Sequence, residues 1–248
     1  FILTGDKSNG KSTFLDMISQ LLGTQNISAL DLGEIGDRFK TAELFGQLAN
    51  IGDDIGNEFI ADTSVFKKVT TGDLITVEKK GEDPFKFSNY SKLIFSANEI
   101  PRMSDSTGAV LRRLVIIPFN AKFSPNDPDF DPYIKYKLRD QEVMEYLILL
   151  GLEGLQRVLH RNKFTDSAKV DEELREYNLQ NNPVEMFFNE LDVERDVINQ
   201  TTSSVYGRYL GFCTMNNIRP MSRIRFTRAI GDKFDVESRQ TRVDGKTQ

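Results

Sequence analysis

The chain has 248 residues, 39% hydrophobic and 28% charged, which suits one sizeable folded domain, or a medium and a small one, and excludes a disordered chain. One cysteine, Cys213, and one histidine, His160, exclude an internal disulfide framework and a zinc site of the usual four ligands. A net charge of −5 argues against indiscriminate coating of nucleic acid, no apolar run reaches the roughly 18 residues of a membrane span, and a cytoplasmic, reducing setting is expected.

In chain order, Phe1-Ile2-Leu3 reads as a strand. It enters Gly5-Asp6-Lys7-Ser8-Asn9-Gly10-Lys11-Ser12, which satisfies G-x4-G-K-[ST]. After it, Phe14, Ile18, Leu21 and Leu22 fall at helical spacing, so strand–loop–helix is the local expectation. Glycines let successive backbone N–H groups curl toward phosphates, and the helix N-terminus adds positive potential. In such a loop Lys11 reaches the β- and γ-phosphates of ATP and the Ser12 hydroxyl holds Mg2+, with Thr13 completing the cradle. A glycine-rich turn without a ligand is the plainer alternative.

Leu48–Asp54 is a short, mostly apolar run ending in two carboxylates, as a magnesium-holding, water-orienting strand requires. Asp53 is assigned to magnesium and Asp54 to water, an assignment that can be exchanged, and a strand-end turn rich in Asp is the alternative. Leu74–Phe87 alternates on both sides of Gly81–Pro84 and predicts a β-hairpin with a charged tip bearing Lys79 and Lys80. Lysines on an exposed hairpin also serve as simple edge protection. Lys92–Ala97 reads as a buried strand ending at Asn98, a residue able to bond a γ-phosphate or water, or simply to turn the chain before Ile100-Pro101. Arg112-Arg113 precede another apolar strand, Leu114–Phe119, where a guanidinium needs an anionic partner unless the pair is merely superficial.

Residues 133–180 read as helical, with Val143, Tyr146, Leu147, Leu150 and Leu155 on an expected buried face continued by Val170, Leu174 and Tyr177. Asn181-Asn182-Pro183 marks a boundary. Beyond it, segments 184–190, 202–216 and 221–231 read as helices and residues from Asp235 as strands. Ser222 is expected to cap the third helix, whose inner face is Phe226, Ala229 and Ile230 and whose outward face carries Arg225 and Arg228. Residues 207–246 hold nine Lys/Arg against four Asp/Glu, and Arg239 and Arg242 extend the basic outward face. A merely solvated arginine-rich face is the alternative. With no initiator Met, and with Asp244-Gly245-Lys246 read as a hairpin turn lacking its second strand, a fragment cut at both ends is expected.

The order of these motifs resembles the superfamily 3 helicases, specifically the C-terminal helicase part of phage, plasmid and poxvirus-type primase–helicases. Gly5–Thr13, Gly52-Asp53-Asp54, Lys67 through Asp73, Lys92–Pro101 and Asp105 through Phe119 carry the match, with Asn50 an unusual polar residue inside the second motif's strand. The resemblance implies an α/β P-loop NTPase of modified AAA+ type, with a central, mostly parallel sheet in which the sensor strand lies between the two P-loop-related strands. It further implies a helical segment and a small winged-helix-like domain, giving expected divisions 1–132, 133–182 and 183–248. A homo-oligomeric ring, usually a hexamer, would place ATP and Mg2+ at subunit junctions, with Asn98 as sensor and Arg113, then Arg112, as the arginine finger in trans. The hairpin would project into the ring channel, where Lys79 and Lys80, helped by Lys67 and Lys68, grip single-stranded DNA. The C-terminal domain would meet duplex DNA, and no membrane is involved. The activity implied is an ATP-dependent DNA helicase of a phage or mobile element acting in the bacterial host cytoplasm, with a primase region upstream. A non-translocating AAA+ origin-binding initiator or loader is the main rival, and a small-molecule P-loop kinase a more remote one.

Overall fold

Parallel strands buried on both faces need near-continuous apolar runs, and the first unit of the chain is built on five of them. The computed structural model describes residues 1–103, 108–216, 220–239, 242–243 and 246–247, and the chain divides into two units, Phe1–Tyr177 and Asn178–Gln248. The first unit begins with β1 (Ile2–Thr4), wholly buried, followed by α1 (Lys11–Leu22). Then come β2 (Ile27–Ser28), β3 (Ala49–Gly52), α2 (Ser64–Thr71), β4 (Leu74–Val77), β5 (Phe85–Ser88), β6 (Lys92–Ala97) and β7 (Ile116–Pro118). The sheet order is β2-β3-β6-β1-β7 with every pairing parallel, so β6 lies between β3 and β1 as expected. Because the strands are parallel, their C-terminal ends share one edge. The segments after β1, β3 and β6 therefore emerge side by side.

β2 is too short to give a sequence signal, and its presence explains Asn50. That residue is fully buried in β3 and continues the sheet beyond the end of β2. It accepts from the Ser28 hydroxyl at 2.9 Å and Leu30 N–H at 2.8 Å, and donates to the Leu30 carbonyl at 2.9 Å. A buried amide is tolerated because its donor and acceptor are both matched.

The β4–β5 hairpin forms, with Ile75, Val77 and Phe87 inward in the core and Phe45 packed edgewise on Phe85 and Phe87. Gly81 turns its tip at φ 83°, and Lys79 and Lys80 are exposed there.

The middle segment forms α3 (Ile134–Lys137), α4 (Gln141–Arg161) and α5 (Ala168–Asn181). It corrects one expectation: no residue of α4 is buried. Tyr146, Leu150 and Leu155 are exposed, joined by Ile148, Leu149, Leu152 and Leu159, while Val143 and Leu147 are half-buried. Periodicity identifies a face that favours burial but says nothing of what covers it. Tyr177, by contrast, is buried, and its hydroxyl donates to the Pro101 carbonyl at 2.9 Å, with Leu174 packed alongside. The boundary between the two units falls after Tyr177, within α5. No helix among the described residues is long and apolar enough to cross a membrane.

The second unit contains α6 (Pro183–Asn189), α7 (Val193–Asp196), α8 (Thr202–Met215), α9 (Arg223–Phe234) and the antiparallel pair β8 (Arg242–Val243) and β9 (Lys246–Thr247). The hairpin expected to lack a second strand therefore has one, although Asp244 and Gly245 lie outside the described residues. Phe187, Phe188, Tyr209 and Phe226 form the core, Tyr209 stacked on Phe226 with ring centroids 4.6 Å apart. Thr201 caps α8 by accepting from Ser204 N–H at 3.1 Å. Ser222 occupies the cap position of α9 but its hydroxyl makes no capping hydrogen bond, a second correction. Short α7, without a sequence signal, is held by Asp196. The guanidiniums of Arg195 and Arg208 and the N–H of Asp192 surround that carboxylate and hold it well below the usual range.

Candidate functional site

The loop between β1 and α1 has the backbone that its glycines permit. Gly5 has φ 132°, and a Cβ there would lie 2.5 Å from the Phe119 carbonyl oxygen and 2.6 Å from Asn9 Nδ2, so no side chain fits. Gly10 has φ 92° as the residue before α1. Asn9, buried, donates from Nδ2 to the Phe119 carbonyl at 2.9 Å, and Phe123 N–H donates to the Ser8 carbonyl at 2.8 Å. The segment after β7 thus straps the loop from behind. Asp6, Lys7 and Ser8 are exposed on the loop, while Thr13 is half-buried in the first turn of α1.

Lys11 is buried, and its Nζ donates to the Gly5 carbonyl, to the Asp6 carbonyl at 3.1 Å and to Asn98 Oδ1 at 3.4 Å. A lysine held by neutral carbonyls over a helix N-terminus is poised for anionic oxygens, which offset its charge better. Asn98 also donates from Nδ2 to Asp54 Oδ1 at 3.3 Å. Ser12 Oγ donates to Asp53 Oδ1 at 3.4 Å. The parallel topology therefore brings Lys11, Ser12, Asp53, Asp54 and Asn98, drawn from three strand ends, into one hydrogen-bonded constellation.

This geometry separates the two carboxylates, which the sequence left exchangeable. Asp53 faces Ser12, and a hydroxyl beside a carboxylate is an all-oxygen donor set that suits Mg2+. Asp54 faces Asn98. The left-handed backbone of Asp54, φ 54°, turns these neighbouring side chains apart. Sequence reasoning missed Ser96, one strand position short of Ala97-Asn98. It is buried, its hydroxyl donates to Asp53 Oδ1, and the Ser96 Oγ in turn accepts Asp54 N–H at 3.0 Å. A serine inside an apolar strand was the signal available. Gly52, immediately before the pair, was quoted only as part of the motif. A Cβ there would lie 2.8 Å from both the Leu30 carbonyl oxygen and Phe95 Cδ1.

The remaining candidates lie elsewhere. Arg112 and Arg113 precede β7, which runs parallel to β1, so they stand beyond the opposite end of the sheet from the phosphate loop. Arg112 is exposed. Arg113 is half-buried, donates to the Ala109 carbonyl at 2.5 Å, and its Nε has no hydrogen-bond partner among the described residues. In the second unit, Arg225 and Arg228 are exposed on α9 opposite Phe226 and Ile230. Arg239 is exposed near Glu237, while Asp105 and the side chain of Arg242 lie outside the described residues.

A family of unknown function (DUF5906) matches residues 3–113, and a family described as Poxvirus D5 protein-like matches residues 179–248. The protein named "Putative helicase 184R" of Invertebrate iridescent virus 6 is 26% identical over 237 residues, covering 80% of this chain and 24% of that protein. "Putative helicase L207/L206" of Acanthamoeba polyphaga mimivirus is 28% identical over 130 residues, covering 50% of this chain and 14% of that one. The chain thus spans a quarter or less of the length of these curated relatives. An apo structure of the NrS-1 C-terminal region matches 99% of this chain and 64% of that chain with a TM-score of 0.57 at 17% identity, a likeness of fold. Together these bear out the resemblance to the helicase part of superfamily 3-type primase–helicases, and the α/β fold with its parallel five-stranded sheet.

Proposed function

We propose that this chain is the ATP-hydrolysing helicase part of a viral, phage or mobile-element replication protein, acting on single-stranded DNA as a ring. The carrying observation is the constellation at the sheet edge, where Lys11, Ser12, Asp53, Asp54 and Asn98 meet through hydrogen bonds. Gly5–Thr13 bind the triphosphate, with Lys11 exchanging its loop carbonyls for phosphate oxygens. Ser12 and Asp53 hold Mg2+, which when bound offsets phosphate charge. Asp54 orients and accepts a proton from the attacking water, and Asn98 holds it in line between the γ-phosphate and Asp54.

The arginine pair supports assembly. Standing at the far end of the sheet from its own phosphate loop, it serves a neighbouring subunit's nucleotide, as a ring of ATP sites at subunit junctions requires. Exposure favours Arg112 for that reach, whereas Arg113 is tied to the Ala109 carbonyl; this reverses the order of preference taken from the resemblance. The exposed hairpin tip offers Lys79 and Lys80 to the phosphates of a strand, a salt-dependent and sequence-blind contact. Exposed Arg225, Arg228 and Arg239 suit duplex DNA on a winged-helix-like second unit, and the setting proposed is the cytoplasm of the host.

The test is ATP turnover by the full-length protein with and without single-stranded DNA, beside Lys11→Ala, Arg112→Ala and Lys79→Ala/Lys80→Ala. DNA-stimulated turnover lost in the first two and partly restored on mixing them establishes shared sites. Loss of unwinding in the hairpin variant, with duplex binding kept, establishes the strand grip. If unwinding survives in that variant, an initiator or loader that does not translocate replaces the helicase reading. Turnover indifferent to DNA and to Arg112 refutes the ring motor.

A further inference from the structure

We infer that Ser96 is the positioning residue that divides the labour of the carboxylate pair, fixing Asp53 for the divalent cation and turning Asp54 toward Asn98. The inference rests on the reading of Ser12 and Asp53 as the cation site and deepens it. Ser96 is 1% exposed and lies inside β6, paired in register with Leu3 of β1, where an apolar side chain would be the default. A serine hydroxyl offers one proton and two lone pairs. The proton goes to Asp53 Oδ1, and a lone pair accepts the N–H of Asp54 at 3.0 Å. The backbone carbonyl of Ser96 accepts Ile55 N–H at 2.9 Å. Three consecutive residues, 53 to 55, are therefore bound to this single position on the neighbouring strand.

That attachment matters because Asp54 is not glycine yet holds φ 54°. Asp enters the left-handed region more readily than most residues bearing a Cβ, but still at a cost that local hydrogen bonds must offset. The strand neighbour supplies these bonds by gripping the N–H of Asp54 and the amide that follows. In consequence the side chains of 53 and 54 diverge, one to Ser12 at 3.4 Å and the other to Asn98 at 3.3 Å. Without the hydroxyl, Asp53 loses a donor that fixes its rotamer, and the N–H of Asp54 loses its partner. Either change loosens the metal-facing carboxylate while leaving the phosphate loop itself untouched.

The test compares binding of a slowly hydrolysed ATP analogue in Mg2+ and in EDTA, by calorimetry, for wild type, Ser96→Ala, Ser96→Thr and Asp53→Asn. In Ser96→Ala the affinity in EDTA stays within about twofold, while the gain on adding Mg2+ falls about tenfold or more, the usual effect of removing a group that orients a metal ligand. Ser96→Thr, which keeps the hydroxyl and suits a strand, restores most of that gain. With Mn2+ in place of Mg2+, the alanine variant shows the same weakened metal dependence by electron paramagnetic resonance. A Ser96→Ala protein that retains the wild-type metal response, while Asp53→Asn loses it, overturns the role of Ser96 alone. Asp53→Asn retaining the response overturns the cation site and this inference with it. If the alanine variant does not fold, Ser96→Cys, which keeps only a weak donor, replaces it, and a wild-type metal response there is likewise refuting.

Discussion

Replacing Asn50 isolates the interaction that extends the sheet past its shortest strand. Asn50→Ala removes three hydrogen bonds at a site with no solvent access: those to the Ser28 hydroxyl, Leu30 N–H and the Leu30 carbonyl. A stranded buried group costs about 1–3 kcal/mol. The hydroxyl can rotate toward another acceptor, so the two backbone groups of Leu30 dominate, and a loss of about 3 kcal/mol is expected. Against a total of about 5–15 kcal/mol this is severe without being fatal. With a urea dependence of about 2 kcal/mol per molar, the unfolding midpoint of the first unit drops by about 1.5 M. Asn50→Leu, similar in size, strands the same groups without opening a cavity, so it should lose nearly as much. The assay is urea unfolding followed by far-UV ellipticity and tyrosine fluorescence, with the second unit's transition as an internal control. Midpoint shifts below about 0.3 M in both variants refute the reasoning, because the Leu30 groups would then find other partners.

Gly52→Ala is expected to destabilise the first unit by about 1–3 kcal/mol, since its Cβ meets the Leu30 carbonyl oxygen and the Phe95 ring at 2.8 Å. ATP turnover should fall further than stability explains, because the displaced residue adjoins Asp53; thermal melts beside turnover at 20 °C check both. In the second unit, the folded carboxyl of Asp196 is depressed by Arg195 first, then by Arg208 and the Asp192 N–H. Its contribution is therefore fully present above the unfolded value of about 3.9 and is lost as pH falls from there toward the folded value. Asp196→Asn should accordingly melt lower than wild type at pH 7, and the gap should narrow below about pH 4. On α4, replacing Leu149, Leu155 or Leu159 singly by Ser should change stability by less than about 0.5 kcal/mol, because none is buried. A loss above about 2 kcal/mol in urea would show that the helix face is covered after all.

Local chemistry made the phosphate loop, the acidic strand end, the hairpin and the order of motifs legible in the sequence. Gly5 and Gly10 are demanded by backbone conformation within a few residues, and β6 reads as a strand because burial on both faces demands a mostly apolar run. Alternation around Gly81 likewise needs only a two-residue period to announce β4 and β5. Other features depend on residues distant in sequence. Asn50 looked anomalous until β2, two residues long, supplied its partners. Asp53 and Asp54 were interchangeable until the turn at Asp54 and the hydroxyl of Ser96 sent them to Ser12 and Asn98. Periodicity in α4 was read correctly as a helix and wrongly as a buried one, because amphipathicity states what a face prefers and only the packing states what meets it. The sequence alone thus determined the loop, the strands and the polar groups at their ends, through spacing that short-range sterics enforce. Which partner each carboxylate meets was decided by the tertiary structure, because it depends on which strand lies beside which.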